Sequence, residues 1–309
     1  MDICIWDKCN NFCEMCTNPD LPWKSETGKL GEGYDFESLV GRIKRLKNKI
    51  ESDDAVILTG GEPTLHPQFL DVFNFVKKTF PRQELRLLTN GRRFAYTDFA
   101  RKIMQTDNLN IAISLCGPND QVHDHITKTK NSFAQAVKGI ENILKFKKKS
   151  QTIEIRTVLS KLSYLHIKKT LELIHLKFPS LDRVIVIYLE VEGQAKKNLT
   201  KVMIPYSKVS PELKKITLLL SMFKEIRFYH FPLCTLDSDL WPYVWRTLPS
   251  NEVMFLPSCK KCFYKKYCLG IHRNHPSKSK CKEFKPLKKN ILIQESNNFY
   301  HPIIKTEKE

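Results

Sequence analysis

An α/β fold, a partial (β/α)6 barrel followed by a small cysteine-rich unit, is what this 309-residue sequence predicts. Three observations point to it. Short apolar runs alternate with helical periodicity to about residue 190, the pattern of βα units on a parallel sheet. Residues suited to ligand binding fall just after those runs, where open α/β sheets carry their sites. Beyond about residue 200 the alternation gives way to proline, aromatics and cysteine.

The strands come in order as "ICIW", "AVILT" at 55 to 59, "LRLLT" at 85 to 89, "LNIAISL" at 109 to 115, "IEIRTVL" at 153 to 159 and "RVIVIYL" at 183 to 189. Between them, Phe36, Leu39, Val40, Ile43, Leu46 and Ile50 keep the spacing of one helical face. Phe133, Ala136, Val137, Ile140, Ile143 and Leu144 do the same. Parallel strands joined by helices make right-handed crossovers, which gives a TIM-like arrangement of six units. The cysteine loop "CNNFCEMC" follows the first strand, "GGEP" the second and "NG" the third, and Ser114 and Cys116 lie near the end of the fourth. The expected division is residues 1–200 for the barrel, 201–285 for the cysteine-rich unit and 286–309 for a basic, mobile tail.

Hydrophobic residues at 41% and charged residues at 27% describe a globular protein, and no apolar run reaches the length of a membrane span. Met1 leads into "DICIWDKC", which lacks the features of a signal peptide, so a cytoplasmic location is expected. In a reducing compartment ten cysteines point to metal ligation before disulfides. The formal charge of +18 is spread over several lysine runs. It keeps RNA among the conceivable partners, but a solvated basic surface is the favoured reading.

A structural zinc site closes with four ligands, whereas Cys9, Cys13 and Cys16 have no fourth close by in sequence. A four-iron four-sulfur cluster tolerates that vacancy. "CNNFCEMC" after a first strand, then "LTGGEPTLHP" after a second, resembles the radical S-adenosylmethionine (SAM) enzymes. The resemblance implies that the open iron binds SAM, and that an electron from a low-potential donor such as ferredoxin or flavodoxin cleaves it to a 5′-deoxyadenosyl radical. That radical takes a hydrogen atom from substrate. It further implies that Gly60 and Gly61 let the backbone approach SAM, that Glu62 fixes the turn and favours a cationic ligand, and that Met15 packs on adenine. Asn90 and Ser114 match the polar contacts to ribose and carboxylate, with Arg156 a carboxylate partner. "YLEVEGQA" at 188 to 195 is similar to the family's stretch near adenine.

"CKKCFYKKYC", with Cys259, Cys262 and Cys268, resembles the auxiliary-cluster extension called SPASM or twitch. His272 stands where the full pattern has a further cysteine. The preferred site is a second four-iron four-sulfur cluster on Cys234, Cys259, Cys262 and Cys268, with Cys281 as the substitute for Cys234 and zinc as the alternative metal. Cys116, in "SLCG", is read as packing, with hydrogen-atom donation as its functional alternative. His123 and His125 are read as capping or packing residues. The extension suggests a peptide or protein substrate, with a small molecule, an RNA and a non-catalytic metal scaffold as rivals.

Overall fold

The computed structural model describes residues 1–18, 33–47, 55–276 and 283–308. Its frame is one parallel sheet of eight strands in the order of the chain. These are β1 (Asp2–Trp6), β2 (Val56–Gly60), β3 (Leu85–Thr89), β4 (Leu109–Ser114), β5 (Thr152–Leu159), β6 (Arg183–Tyr188), β7 (Ile226–Tyr229) and β8 (Val244–Trp245). All six expected strands are present. Two more extend the sheet past residue 200, so the expected domain boundary falls within the sheet.

Helices α1 (Phe36–Lys47), α2 (Phe69–Thr79), α3 (Thr97–Ile103), α4 (Asp120–Thr127), α5 (Ser132–Phe146) and α6 (Ile167–Lys177) supply the crossovers. Their apolar stripes, among them Leu39, Ile43, Val76, Ile140 and Ile143, pack on the outward side chains of the strands, such as Ile5, Leu58, Leu87, Ile111 and Ile155. Because side chains alternate across a strand, the other face of the sheet carries the remaining set. There Arg86, Asn110, Glu154, Arg156, Arg183 and Arg227 follow one another from strand to strand.

This inner face holds a ladder of ion pairs. Glu154, 1% exposed in its side chain, lies 2.7 Å from Arg156 and 3.1 Å from Arg183. Arg183 and Arg227 in turn hold Glu225, at 2.7 Å and 2.5 Å. Burial would raise the Glu154 carboxyl, but Arg156, Arg86 and Arg183 override it and hold the group below its ordinary value.

The expected mobile tail is instead an antiparallel hairpin of β11 (Ile291–Glu295) and β12 (Ile303–Lys308), the pair β9 (Val253–Met254) and β10 (Ile271–His272) preceding it. Its polar composition hides two anchors, Ile291 and Ile303, which are buried in the main core. The Tyr264 hydroxyl accepts from the Ile291 amide at 2.7 Å, and Thr306 donates to the Ser238 carbonyl at 2.9 Å. Among the described residues no helix is long and apolar enough to cross a membrane.

Glu154→Gln tests the ladder. Removing one charge from a buried pair leaves its partners uncompensated, at a cost of roughly 3–5 kcal/mol in urea unfolding at neutral pH. A group whose folded pKa is depressed stabilises above its unfolded value and stops doing so on acidification. The difference between wild type and variant should therefore shrink as the pH falls below about 4.5.

Candidate functional site

The loop of Cys9, Cys13 and Cys16 leaves β1 at the carboxyl edge of the sheet and is held from three sides. Two glycines set its distance from β2. A Cβ on Gly60, whose φ is +154°, would sit 2.2 Å from the Trp6 carbonyl oxygen, and one on Gly61 would sit 2.3 Å from that of Lys8. Bare backbone is needed because the amides of Gly61 and Glu62 donate to those two carbonyls at 2.9 and 2.8 Å.

The Glu62 carboxylate turns inward, 1% exposed. It accepts from the Thr64 amide at 3.1 Å, the Thr64 hydroxyl at 2.5 Å, the Thr89 hydroxyl at 2.7 Å and the Asn90 amide at 2.7 Å. Burial raises its pKa, against the opposing effect of these donors. The Asn90 side chain donates to Asn10 Oδ1 at 2.7 Å and reaches Cys9 Sγ at 3.8 Å. Arg92 donates to Asn11 Oδ1 at 2.8 Å and to the Asn10 carbonyl, and is itself steadied by Gln135 at 2.6 Å. The Phe12 amide donates to the Thr127 carbonyl, and the Ala195 amide to that of Cys16.

The three thiols are brought together. Burial pushes Cys9 up to about 12 and Cys13 and Cys16 above their ordinary value, and Cys13 feels the charges of Cys116, Cys16 and Cys9. Thiols in so dry a pocket stay protonated unless a cation compensates the thiolates, so the donor set fits a soft metal centre. Asn11 gives its amide to Cys9 Sγ at 3.4 Å, a contact that favours the thiolate. Among the described residues, no group of three or more Cys, His, Asp or Glu side chains is arranged to hold a single metal ion.

Around this loop the other expected residues divide. Met15 and Cys116 share a buried apolar cluster with Ile126, Leu189, Ala195 and Val202, against which Cys13 packs. Cys116 is 3% exposed, its thiol is pushed to about 12 by burial, and its amide donates to His123 Nδ1 at 3.1 Å. That contact gives His123 a positioning role, and burial holds its imidazole down at about 4. Ser114 is exposed at the end of β4, in register with Arg156. Arg156 is committed to Glu154 instead, with Nε at 2.8 Å. Asn10, Asn11 and Arg92 escaped the sequence reading, since nothing local marks a contact made across some eighty residues.

The second cysteine group also converges. Cys234, Cys259, Cys262 and Cys268 line one pocket with Leu233, Tyr264, Ile271 and Phe284. Burial, then the charges of the other three, pushes Cys234 up to about 12, and burial pushes Cys268 to about 11. Amides of Gly270 and Leu287 donate to Cys268 and Cys262 at 3.3 and 3.4 Å. The four thiols thus share one pocket, two of them with amide donors. Cys281 lies outside the described residues.

Residues 3–174 match the model of the family described as "Radical SAM superfamily". The chain is 33% identical over 88 residues to the mycofactocin maturase MftC of Mycolicibacterium smegmatis, covering 28% of this chain and 21% of that one. It is 32% identical over 84 residues to the antilisterial bacteriocin subtilosin biosynthesis protein AlbA of Bacillus subtilis, covering 27% and 18%. A GTP 3′,8-cyclase of Actinobacillus succinogenes is 27% identical over 51% of this chain and 44% of its own. The fold is similar to that of Streptococcus suis SuiB bound to the precursor peptide SuiA, with a TM-score of 0.53 at 14% identity over 73% of this chain and 47% of that one. The matched stretches thus span about a fifth of MftC and AlbA and under half of SuiB.

Arg92→Ala should weaken metal loading at Cys9, Cys13 and Cys16 by about ten- to a hundredfold, the usual cost of losing a residue that orients a ligand loop. Iron titration followed by metal analysis reads this, with the second cysteine group as internal control. Arg92→Lys should not restore loading, because a single ammonium cannot bridge Asn10 and Asn11 as the guanidinium fork does.

Proposed function

Because the chain belongs to the radical SAM superfamily, we propose that it is an enzyme that cleaves SAM reductively and removes a hydrogen atom from a peptide or protein substrate. The observation that carries this reading is the gathering of Cys9, Cys13 and Cys16 on the loop beyond β1, partly buried and close enough that Cys13 feels the charges of Cys16 and Cys9. When bound there, a four-iron four-sulfur cluster and SAM supply a 5′-deoxyadenosyl radical.

The chain's own residues hold and enclose. Cys9, Cys13 and Cys16 take three irons. Met15 and Leu189, side by side in an apolar cluster next to Cys13, form the wall for adenine. Ser114, exposed at the strand end, offers its hydroxyl to SAM. Glu62 and Asn90 act by bracing the cysteine loop, and their hydrogen bonds within the protein support that role over direct contact with the cofactor. Arg156, held by buried Glu154, positions the inner face of the sheet. Cys116 fills the apolar cluster.

Cys234, Cys259, Cys262 and Cys268 hold a second four-iron four-sulfur cluster, and their common pocket supports Cys234 as the fourth ligand. A peptide substrate is supported by the roles of the relatives, a mycofactocin maturase and a bacteriocin biosynthesis protein, and by SuiB, whose structure holds a precursor peptide. A reducing cytoplasm suits both thiol sets.

Anaerobic reconstitution with iron and sulfide, followed by dithionite and SAM, should yield 5′-deoxyadenosine. Cys13→Ala should abolish the product and lose about four irons per chain; Cys234→Ala should lose about four irons from the second site and spare SAM cleavage. Zinc in the second site would replace that half of the reading. An intact first cluster without SAM cleavage would overturn the whole.

A further inference from the structure

Residues 259–289 contain eleven lysines and arginines against one glutamate, Glu283. A tenth of the chain thus supplies a net of ten from its formal +18. Ordinary solvated surfaces interleave the two signs, and so one-sided a run repels itself. Its place in the fold is specific. Lys260 and Lys261 stand between two of the thiol ligands, Lys265 and Lys266 between the next two, and Lys265 and Lys285 line the four-cysteine pocket itself.

The described lysines of this run, Lys260, Lys261, Lys265, Lys266, Lys285, Lys288 and Lys289, are all exposed. Among the described residues only Lys266 meets a carboxylate, that of Glu295 at 3.1 Å. Two large aromatics stand in the open among them, Phe255 at 40% and Phe263 at 53% exposure. Lys265 lies over the Phe255 ring at 5.2 Å and Lys289 over that of Phe263 at 5.9 Å. Beside them a groove bounded by Phe255, Phe263, Phe299 and Tyr300 reaches down to Cys268.

Ten of these eleven cations are lysine, and Arg273 is the exception. Lysine ammoniums are mobile, strongly hydrated point charges, whereas planar guanidiniums serve phosphate forks and base stacking. A lysine field with a small aromatic centre suits a steered, short-lived encounter with an acidic protein surface over a lasting grip on nucleic acid. Two members of the field, Lys265 and Lys285, also line the four-cysteine pocket.

We propose that this lysine ring, with Phe255 and Phe263 at its centre, is the docking face for an acidic low-potential electron-carrier protein of the flavodoxin or ferredoxin class. The inference rests on the radical SAM reading, which requires a one-electron donor, and gives that donor a place.

The test uses reconstituted full-length protein and an acidic flavodoxin as probe, with association followed by stopped flow at 50 and 300 mM salt. Association should slow by about tenfold or more as salt rises. The combined K260E, K261E and K266E variant should slow it by a comparable or larger factor at low salt, with iron content and dithionite-driven 5′-deoxyadenosine unchanged. If that variant loses iron, K288E with K289E gives the same reading from residues outside the cysteine run. Flavodoxin association indifferent to salt and to these charges, with dithionite-driven SAM cleavage intact, overturns the docking face alone. Failure of dithionite-driven cleavage in the wild type overturns the reading beneath it. Tight capture of a poly(U) oligonucleotide by the same lysines, without flavodoxin association, assigns the patch to RNA and overturns the proposal.

Discussion

The Glu62 carboxylate is the point from which the first cysteine loop hangs. Taking a carboxylate out of water costs several kcal/mol, and only a full set of donors offsets that. Glu62 has them: four hydrogen bonds from Thr64, Thr89 and Asn90. At about 1.5–3 kcal/mol for each bond to a charged acceptor, the set is of the size the burial demands. Its donors come from the ends of two neighbouring strands, so the carboxylate fixes β2 and β3 at their carboxyl edge. Asn90, held there by its amide, then reaches Asn10 with its side chain. The thiols are positioned by a chain of contacts that starts from one buried acid.

The two faces of the sheet are stabilised by opposite means. Outward side chains pack against the helices in a continuous apolar core, which needs no directional chemistry and tolerates strand ends of different length. The inner face carries acids and bases in contact, Glu154 with Arg156 on its own strand and with Arg183 on the next, and Glu225 with Arg183 and Arg227, so that its charges are compensated. Trp245 closes the row, with Arg227 3.5 Å from its ring on one side and His301 stacked on the other at 4.6 Å. Through His301 the C-terminal hairpin is tied to the sheet's last strand. The hairpin therefore belongs to the fold's frame.

What the sequence makes legible follows from range. Six strands, two helical faces and both cysteine groups announce themselves within windows of ten or twenty residues; the six strands appear, as do the helical faces, except for Ile50, which lies outside the described residues. β7 and β8 do not, because four and two residues are too short for any period to show, and Arg227 interrupts the apolar pattern from the inner face. The hairpin was hidden because its apolar residues come in two short runs, Ile291 to Ile293 and Ile303 with Ile304, set among lysines and other polar residues. Arg156 illustrates a subtler loss: its type and strand position suggest a ligand contact, but Glu154, two residues earlier on the same face, takes the charge. Gly60 and Gly61 were legible as positions without side chains, yet the bodies that approach them are the carbonyls of Trp6 and Lys8.

Both thiol groups share a property that neither spacing nor composition reveals. For Cys9, Cys13 and Cys16, and for Cys234 and Cys268, burial is the largest influence and favours the neutral thiol. Amide donors to Cys9 and Cys268 pull the other way, toward the anion. Such donors are of little use to a neutral thiol and of considerable use to a thiolate. Their presence beside partly buried sulfur therefore opposes the burial that favours the neutral form.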